Sequence, residues 1–188
     1  VKPRAQKTIA REVELSGVGL HTGAGVRLRL KPADPGAGVL FRRVDLPDRP
    51  EVPATVGYLH ERPRRSVLRS GPAEVETVEH LLASLAAFSI DNLVCEINGP
   101  EVPGMDGSSR AFAEAVREAG VREQKESIEP YTVRDAVHVE ADGWAIVALP
   151  REEGLRLSYT LEYDRPRAVR QSFTFDLDPD AFVKEIAP

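Results

Sequence analysis

Apolar positions along the chain recur with two different periods, and the switches between them mark out the elements. Residues 26–30, V-R-L-R-L, alternate strictly, which predicts a half-buried strand. Residues 8–15 and 39–44 mix apolar and β-branched residues with charges and also read as strands, with a shorter one at 52–56. Residues 66–68 and 73–75 flank Ser70-Gly71-Pro72 and predict a hairpin. At Val78 the period changes. Val78, Leu81, Leu82, Leu85 and Phe88 fall at helical spacing, and Thr77 is placed to cap that helix. His80 points almost directly away from this stripe, onto a face with Ala83, Ser84 and Ala87, small enough for another layer to approach closely. A strand at 93–97 follows, then the turn-rich N-G-P-E-V-P-G-M-D-G. Ser108 caps a second helix with Ala111, Phe112, Ala115, Val116 and Ala119 as its apolar face and Gly120 as its stop. Residues 124–129 are polar and read as a linker.

The second half is strand-rich. Residues 132–140 and 144–149 flank Asp142-Gly143, the signature of a tight hairpin turn. Leu155, Leu157, Tyr159, Leu161 and Tyr163 alternate over a long strand, 173–175 is a short one, and Asp178-Pro179 opens a helix. Gly25, Pro32 and Gly36 are spaced as Gly143, Pro150 and Gly154 are, which points to an internal repeat. Glycine and proline punctuate many hairpins, so coincidence competes, but the order of strands matches too. The expectation is an α+β chain of two similar sub-domains, residues 1–127 and 128–188, the second incomplete because its helices would lie beyond Pro188.

At 188 residues the chain has room for one domain or two small ones. A net charge of −5 argues against nucleic acid, whose binding rests on Lys and Arg against phosphate. The single cysteine, Cys95, excludes an internal disulfide, fits a reducing compartment and sits in an apolar run as a small buried hydrophobe. No run approaches the ~18 apolar residues of a membrane span, and the N-terminus lacks a signal peptide's apolar segment. A soluble, cytoplasmic chain is expected.

The candidate chemistry sits in the first turn of the 78–88 helix. The helix dipole favours an ionised Glu79 and a neutral His80 there, and neutral imidazole is the metal-binding form. Adjacent helical residues stand ~100° apart, too far round to share one ion. They suit a division of labour in which His80 holds the ion and Glu79 takes a proton from water. The competing reading is a solvated helix end. His21, in the glycine loop G-V-G-L-H-T-G at 17–23, is a candidate substrate contact. His60 and His138 stand at no ligand spacing from His80. A catalytic zinc needs about three protein ligands, and the sequence offers one good candidate.

Four motifs in order carry a resemblance: G-V-G-L-H-T-G at 17–23, T-V-E-H-L-L at 77–82, S-I-D-N-L at 89–93 and G-P-E-V-P-G-M-D-G-S at 99–108. Together they resemble the LpxC family of UDP-3-O-acyl-N-acetylglucosamine deacetylases of lipid A biosynthesis, as does the closing F-V-K-E-I-A-P. The resemblance spans essentially the whole chain. It implies a zinc amidohydrolase that removes the acetyl group from a UDP-linked, 3-O-acylated glucosamine and releases acetate. It also implies two domains, each layering a sheet against two helices, with the site between them. By position, His80 matches a zinc ligand and Glu79 the general base. Tyr163 aligns with an aromatic residue bordering the acyl-chain passage, although it also reads as the end of an alternating strand. The family's other His and Asp zinc ligands, its catalytic histidine and lysine, and its oxyanion-holding threonine have no counterpart in residues 1–188.

Three explanations stay open: a piece of a longer enzyme, a half-enzyme that needs a second chain, or an inactive relative serving as a binding or regulatory module. In the first two, 188 residues alone are inactive. As given, the apolar strand face at 155–163 lacks a covering layer, so association or partial disorder after about Tyr131 is expected.

Overall fold

A computed structural model describes residues 2–163 and 169–188. In chain order the elements are β1 (Arg4–Ile9), β2 (Val13–Val18), β3 (Gly25–Pro32), β4 (Val39–Arg43), β5 (Glu51–Pro53), a 3₁₀ turn (Val56–Tyr58), β6 (Leu59–His60), β7 (Val67–Ser70) and β8 (Ala73–Glu76). Then come α1 (Glu79–Ala87), β9 (Leu93–Ile97), α2 (Arg110–Ala119), β10 (Val121–Ile128), β11 (Val137–Ala141), β12 (Trp144–Ala148), β13 (Arg156–Leu161) and β14 (Gln171–Asp176). A short helix, α3 (Pro179–Ala181), runs into a π-helical turn, Phe182–Ile186. The fold is α+β, as expected.

A five-stranded sheet of order β2-β3-β9-β4-β5 organises the first part. β9 lies at its centre, antiparallel to β3 and parallel to β4, with Cys95 opposite both Leu30 and Phe41. The alternation in β3 buries Val26, Leu28 and Leu30 and leaves Arg27 and Arg29 in water. Leu93, Cys95 and Ile97 project to the same core from β9. Leu81 and Leu85 of α1 and Phe112 and Val116 of α2 complete it. A second sheet, β6-β7-β8, hands the chain to α1.

Two expectations fail here for physical reasons. Residues 8–15 are not one strand: β1 ends at Ile9 and β2 starts at Val13, in different sheets. The corner between them is pinned to the end of α2, where Ala10 N–H and Arg11 N–H donate to the carbonyls of Gly120 and Ala119 at 2.8 and 3.2 Å. Residues 124–129 are not a linker, because β10 runs to Ile128 and pairs antiparallel with β1. Its polarity suits a two-stranded ribbon with a wet outer surface. Gln124 anchors it by donating to the Ala33 carbonyl at 2.9 Å and accepting from Asn92 Nδ2 at 2.8 Å. Farther on, the strand expected from 132 begins only at Val137.

The second half consists of two separate ribbons, β11–β12 and β13–β14. Asp142 and Gly143, the latter at φ +83°, form the two-residue turn of the first. Glycine and proline recur in matching places. Gly25 and Gly143 stand at or just before the start of a hairpin's second strand, Pro32 and Pro150 at or just after its end, and Gly36 and Gly154 in the next turn, both at positive φ. Both ribbons carry exposed apolar side chains, including Trp144, Ile146, Tyr159 and Phe173. The chain then returns to the first core. Asp178 Oδ1 accepts from the N–H groups of Asp180 and Ala181 at 3.0 and 2.9 Å, capping α3 as predicted, and Phe182 and Ala187 bury into the cluster that holds Phe112 and Val116.

Candidate active site

Glu79 and His80 are the first two residues of α1, and both are half-buried. The expected cap is not what starts this helix. Val78 occupies the N-cap position without a side-chain bond, while Thr77 adopts φ +58° and turns its hydroxyl elsewhere. Ser66, just ahead of β7, brackets the junction: its carbonyl accepts from Thr77 N–H at 2.9 Å, and its N–H donates to Glu79 Oε2 at 3.1 Å. The Glu79 carboxylate is therefore oriented by a backbone donor as well as by its place at the positive end of the helix. The small-residue face behaves as read at two positions. Ser84 and Ala87 are buried, with Ser84 Oγ 3.0 Å from the His80 carbonyl and 3.3 Å from the Ser109 carbonyl that leads into α2; Ala83 faces solvent.

Thr77 Oγ1 donates to Glu101 Oε1 at 2.9 Å. Glu101 lies in the G-P-E-V-P-G motif and is 1% exposed. The backbone around it is bolted to the end of β8, since Glu76 N–H donates to the Pro100 carbonyl at 2.7 Å and Val102 N–H to the Glu76 carbonyl at 3.0 Å. From the other side comes the glycine loop. His21 N–H donates to Glu101 Oε1 at 2.9 Å, and both Thr22 N–H and Thr22 Oγ1 reach Oε2 at 2.8 Å. Gly19 leaves room for this: a Cβ there would stand 2.4 Å from Glu101 Oε2. Burial opposes the anion, yet the bonds from His21, Thr22 and Thr77 outweigh it and hold the Glu101 carboxyl below the usual carboxylate range.

The His21 backbone and the entry to α1 thus meet on one carboxylate, and the His21 side chain is exposed beside them. Tyr163 stands two residues past β13, exposed, and among the described residues makes no hydrogen bond to α1. His60 and His138 are exposed on β6 and β11. Among the described residues no three His, Cys, Asp or Glu side chains converge on a point that would hold a metal. The donors present, one imidazole beside one carboxylate, fit one corner of a catalytic zinc site and not a whole one. Sequence reasoning missed Ser66 and Glu101. Ser66 acts through its backbone and carries no signal. Glu101 had one: an acid between two prolines with no cation nearby needs backbone donors, and a loop with three glycines in seven residues supplies them.

Residues 6–188 match the family model described as LpxC, UDP-3-O-acyl N-acetylglycosamine deacetylase. Among curated relatives, the UDP-3-O-acyl-N-acetylglucosamine deacetylase of Myxococcus xanthus is 42% identical over 182 residues, covering 97% of this chain and 58% of the relative. The proteins of that name from Nostoc sp. and Brucella melitensis are 37% and 41% identical, again over 97% of this chain, and over 67% and 63% of their own lengths. The chain spans roughly three fifths of these relatives. A match running through both the Glu79-His80 helix and the Glu101 motif, and on to the last residue, places this chain in the LpxC family.

Proposed function

We propose that this chain is the N-terminal part of a zinc-dependent deacetylase that hydrolyses the N-acetyl group of UDP-3-O-acyl-N-acetylglucosamine, releasing acetate, in cytoplasmic lipid A biosynthesis. The observation that carries the reading is the pairing at the head of α1: a carboxylate oriented by the Ser66 N–H beside a half-buried imidazole. In this reading His80 contributes one zinc ligand, and the bound ion supplies the Lewis acidity that activates water and polarises the amide carbonyl. Glu79 Oε2 is held by Ser66, which leaves Oε1 to take the proton from the attacking water and return it to the leaving amine. His21 and Tyr163 are the proposed substrate contacts.

The rest of the site comes from beyond residues 1–188, as a continuation of the same chain or as a second chain. The ribbons support this. In the first part β9 separates hairpin β2–β3 from hairpin β4–β5 and joins them into one sheet. β11–β12 and β13–β14 repeat the two hairpins, and the space between them is an open concavity lined by Trp144, Leu155 and Tyr159. A strand entering there, with helices over the apolar faces, would complete a second sub-domain over 128–188 like the first over 1–127.

The test is reassembly. The chain is mixed with the separately expressed remainder of a relative, and zinc content and acetate release are measured. Zinc uptake and deacetylation are expected on mixing and neither from this chain alone. Glu79→Gln should keep zinc and lose turnover, and His80→Ala should lose both. No zinc uptake on mixing favours the regulatory module, and near-normal turnover in Glu79→Gln removes Glu79 as the base.

A further inference from the structure

Glu101 is the most deeply buried carboxylate among the described residues, and none of them supplies a Lys or Arg to pair with it. A charge taken out of water without a counter-ion is a costly way to fasten a loop, and buried charge is weak support for stability. What this one does is geometric. Its Oε1 is shared by the His21 N–H and the Thr77 hydroxyl, and its Oε2 is held by the Thr22 N–H and hydroxyl. Thr77 is β-branched and sits at φ +58°, a conformation that such residues adopt only when their surroundings hold them there. Two bonds do so: its N–H to Ser66 and its hydroxyl to Glu101. The direction taken at Thr77 sets the direction in which α1 starts, and so where Glu79 and His80 point.

We propose that Glu101 is a positioning residue of the deacetylase site: it locks Thr77 in its left-handed turn and the His21 loop against it, fixing Glu79 and His80 relative to His21. The proposal rests on the function given above. Glu101 touches no reacting group in this scheme; it acts through Thr77 and the loop backbone. The carboxylate form is required, because all four partners are donors. An amide in its place would turn an NH₂ group towards at least one of them.

Three changes test it. Glu101→Gln removes the charge, Thr77→Val removes one donor and leaves the other three bonds, and Gly19→Ala drives a methyl into the cradle without altering any hydrogen-bonding group. In the 188-residue chain, NMR of the four histidine rings and of the loop amides gives a readout free of metal and substrate. In each variant the His21 and Thr22 amides and the His80 ring are expected to shift together, while the rings of His60 and His138 stay in place. In the reassembled enzyme, turnover should fall by about 10- to 100-fold, the scale of misplacing reacting groups from outside the site, with KM changing less. Glu101→Gln and Gly19→Ala should be non-additive when combined, since both loosen one cradle. Folded variants with wild-type His80 and His21 signals, or with wild-type turnover, overturn the proposal. If Glu101→Gln does not fold, the other two changes carry the test. If the reassembled wild type releases no acetate, the functional reading falls, and the NMR result still decides whether Glu101 orders the head of α1.

Discussion

The seam between α1 and α2 admits only a small side chain at Ser84, and this can be tested by substitutions in opposite directions. Ser84 is fully buried, and its hydroxyl lies within hydrogen-bond distance of the carbonyls of His80 and Ser109. Neither carbonyl depends on it. The His80 carbonyl takes part in the helical ladder, and the Ser109 carbonyl accepts the Ala113 N–H at 3.0 Å. Ser84→Ala therefore leaves no acceptor orphaned, and its cost belongs at the low end for a lost hydrogen bond, about 0.5 kcal/mol. Ser84→Leu adds three carbons where there is no free surface, so the helices must part or side chains must leave their rotamers, at about 1–3 kcal/mol. With a urea slope of about 1–3 kcal/mol per molar, the alanine change moves the midpoint by less than about 0.5 M and the leucine change lowers it by about 1 M. Equilibrium urea unfolding followed by far-ultraviolet circular dichroism reads both. Because His80 lies on the same turn, Ser84→Leu should also disturb the His80 ring signal. A leucine variant as stable as the wild type would show that the seam has slack, and the close approach argued here would be wrong.

Further expectations concern the rest of the chain. The guanidinium of Arg156 and then that of Arg151 hold the Asp176 carboxyl down at about 2, so the support they give β13–β14 is complete above the ordinary carboxylate value and lost as pH falls through about 2. Cross-strand contacts between Tyr159 and Phe173 that vanish already near pH 4 would contradict this. Cys95 is wholly buried in β9 and burial pushes its thiol up, so a thiol reagent should modify it only as fast as the sheet opens; rapid labelling in native buffer would refute that packing. The apolar faces of the two ribbons should make the chain associate as its concentration rises. Sedimentation showing a monomer at every concentration would mean that those faces are covered.

Where one face of an element meets a core and the other meets water, the sequence announced it. β3 and β9 fall where alternation and apolar run placed them, and α2 carries Phe112, Ala115, Val116 and Ala119 inward as spaced. β10 was illegible because its ribbon with β1 has no dry face along most of its length, so the period-two signal is absent. Thr77 misled because capping rules are local, whereas its hydroxyl is taken by a residue 24 positions later. The same limit hid the anchoring of the glycine loop: three glycines marked a special backbone, but only the fold brings Glu101 to it. Glu79 and His80 were readable as a pair, and the Ser66 amide that orients Glu79 was not, since any residue type supplies an N–H.

The middle position of β9 has a consequence for biosynthesis. The two hairpins that flank it are made first, yet neither can join the other until residues 93–97 have left the ribosome. The last of that sheet's strands to emerge is the keystone, and its arrival closes pairings of widely different sequence separation in one slow, high-contact-order event. Because α1 is strung between β8 and β9, that event also draws the helix onto the nascent sheet. The end of the helix that carries Glu79 and His80 is thus assembled only once the scaffold beneath it exists.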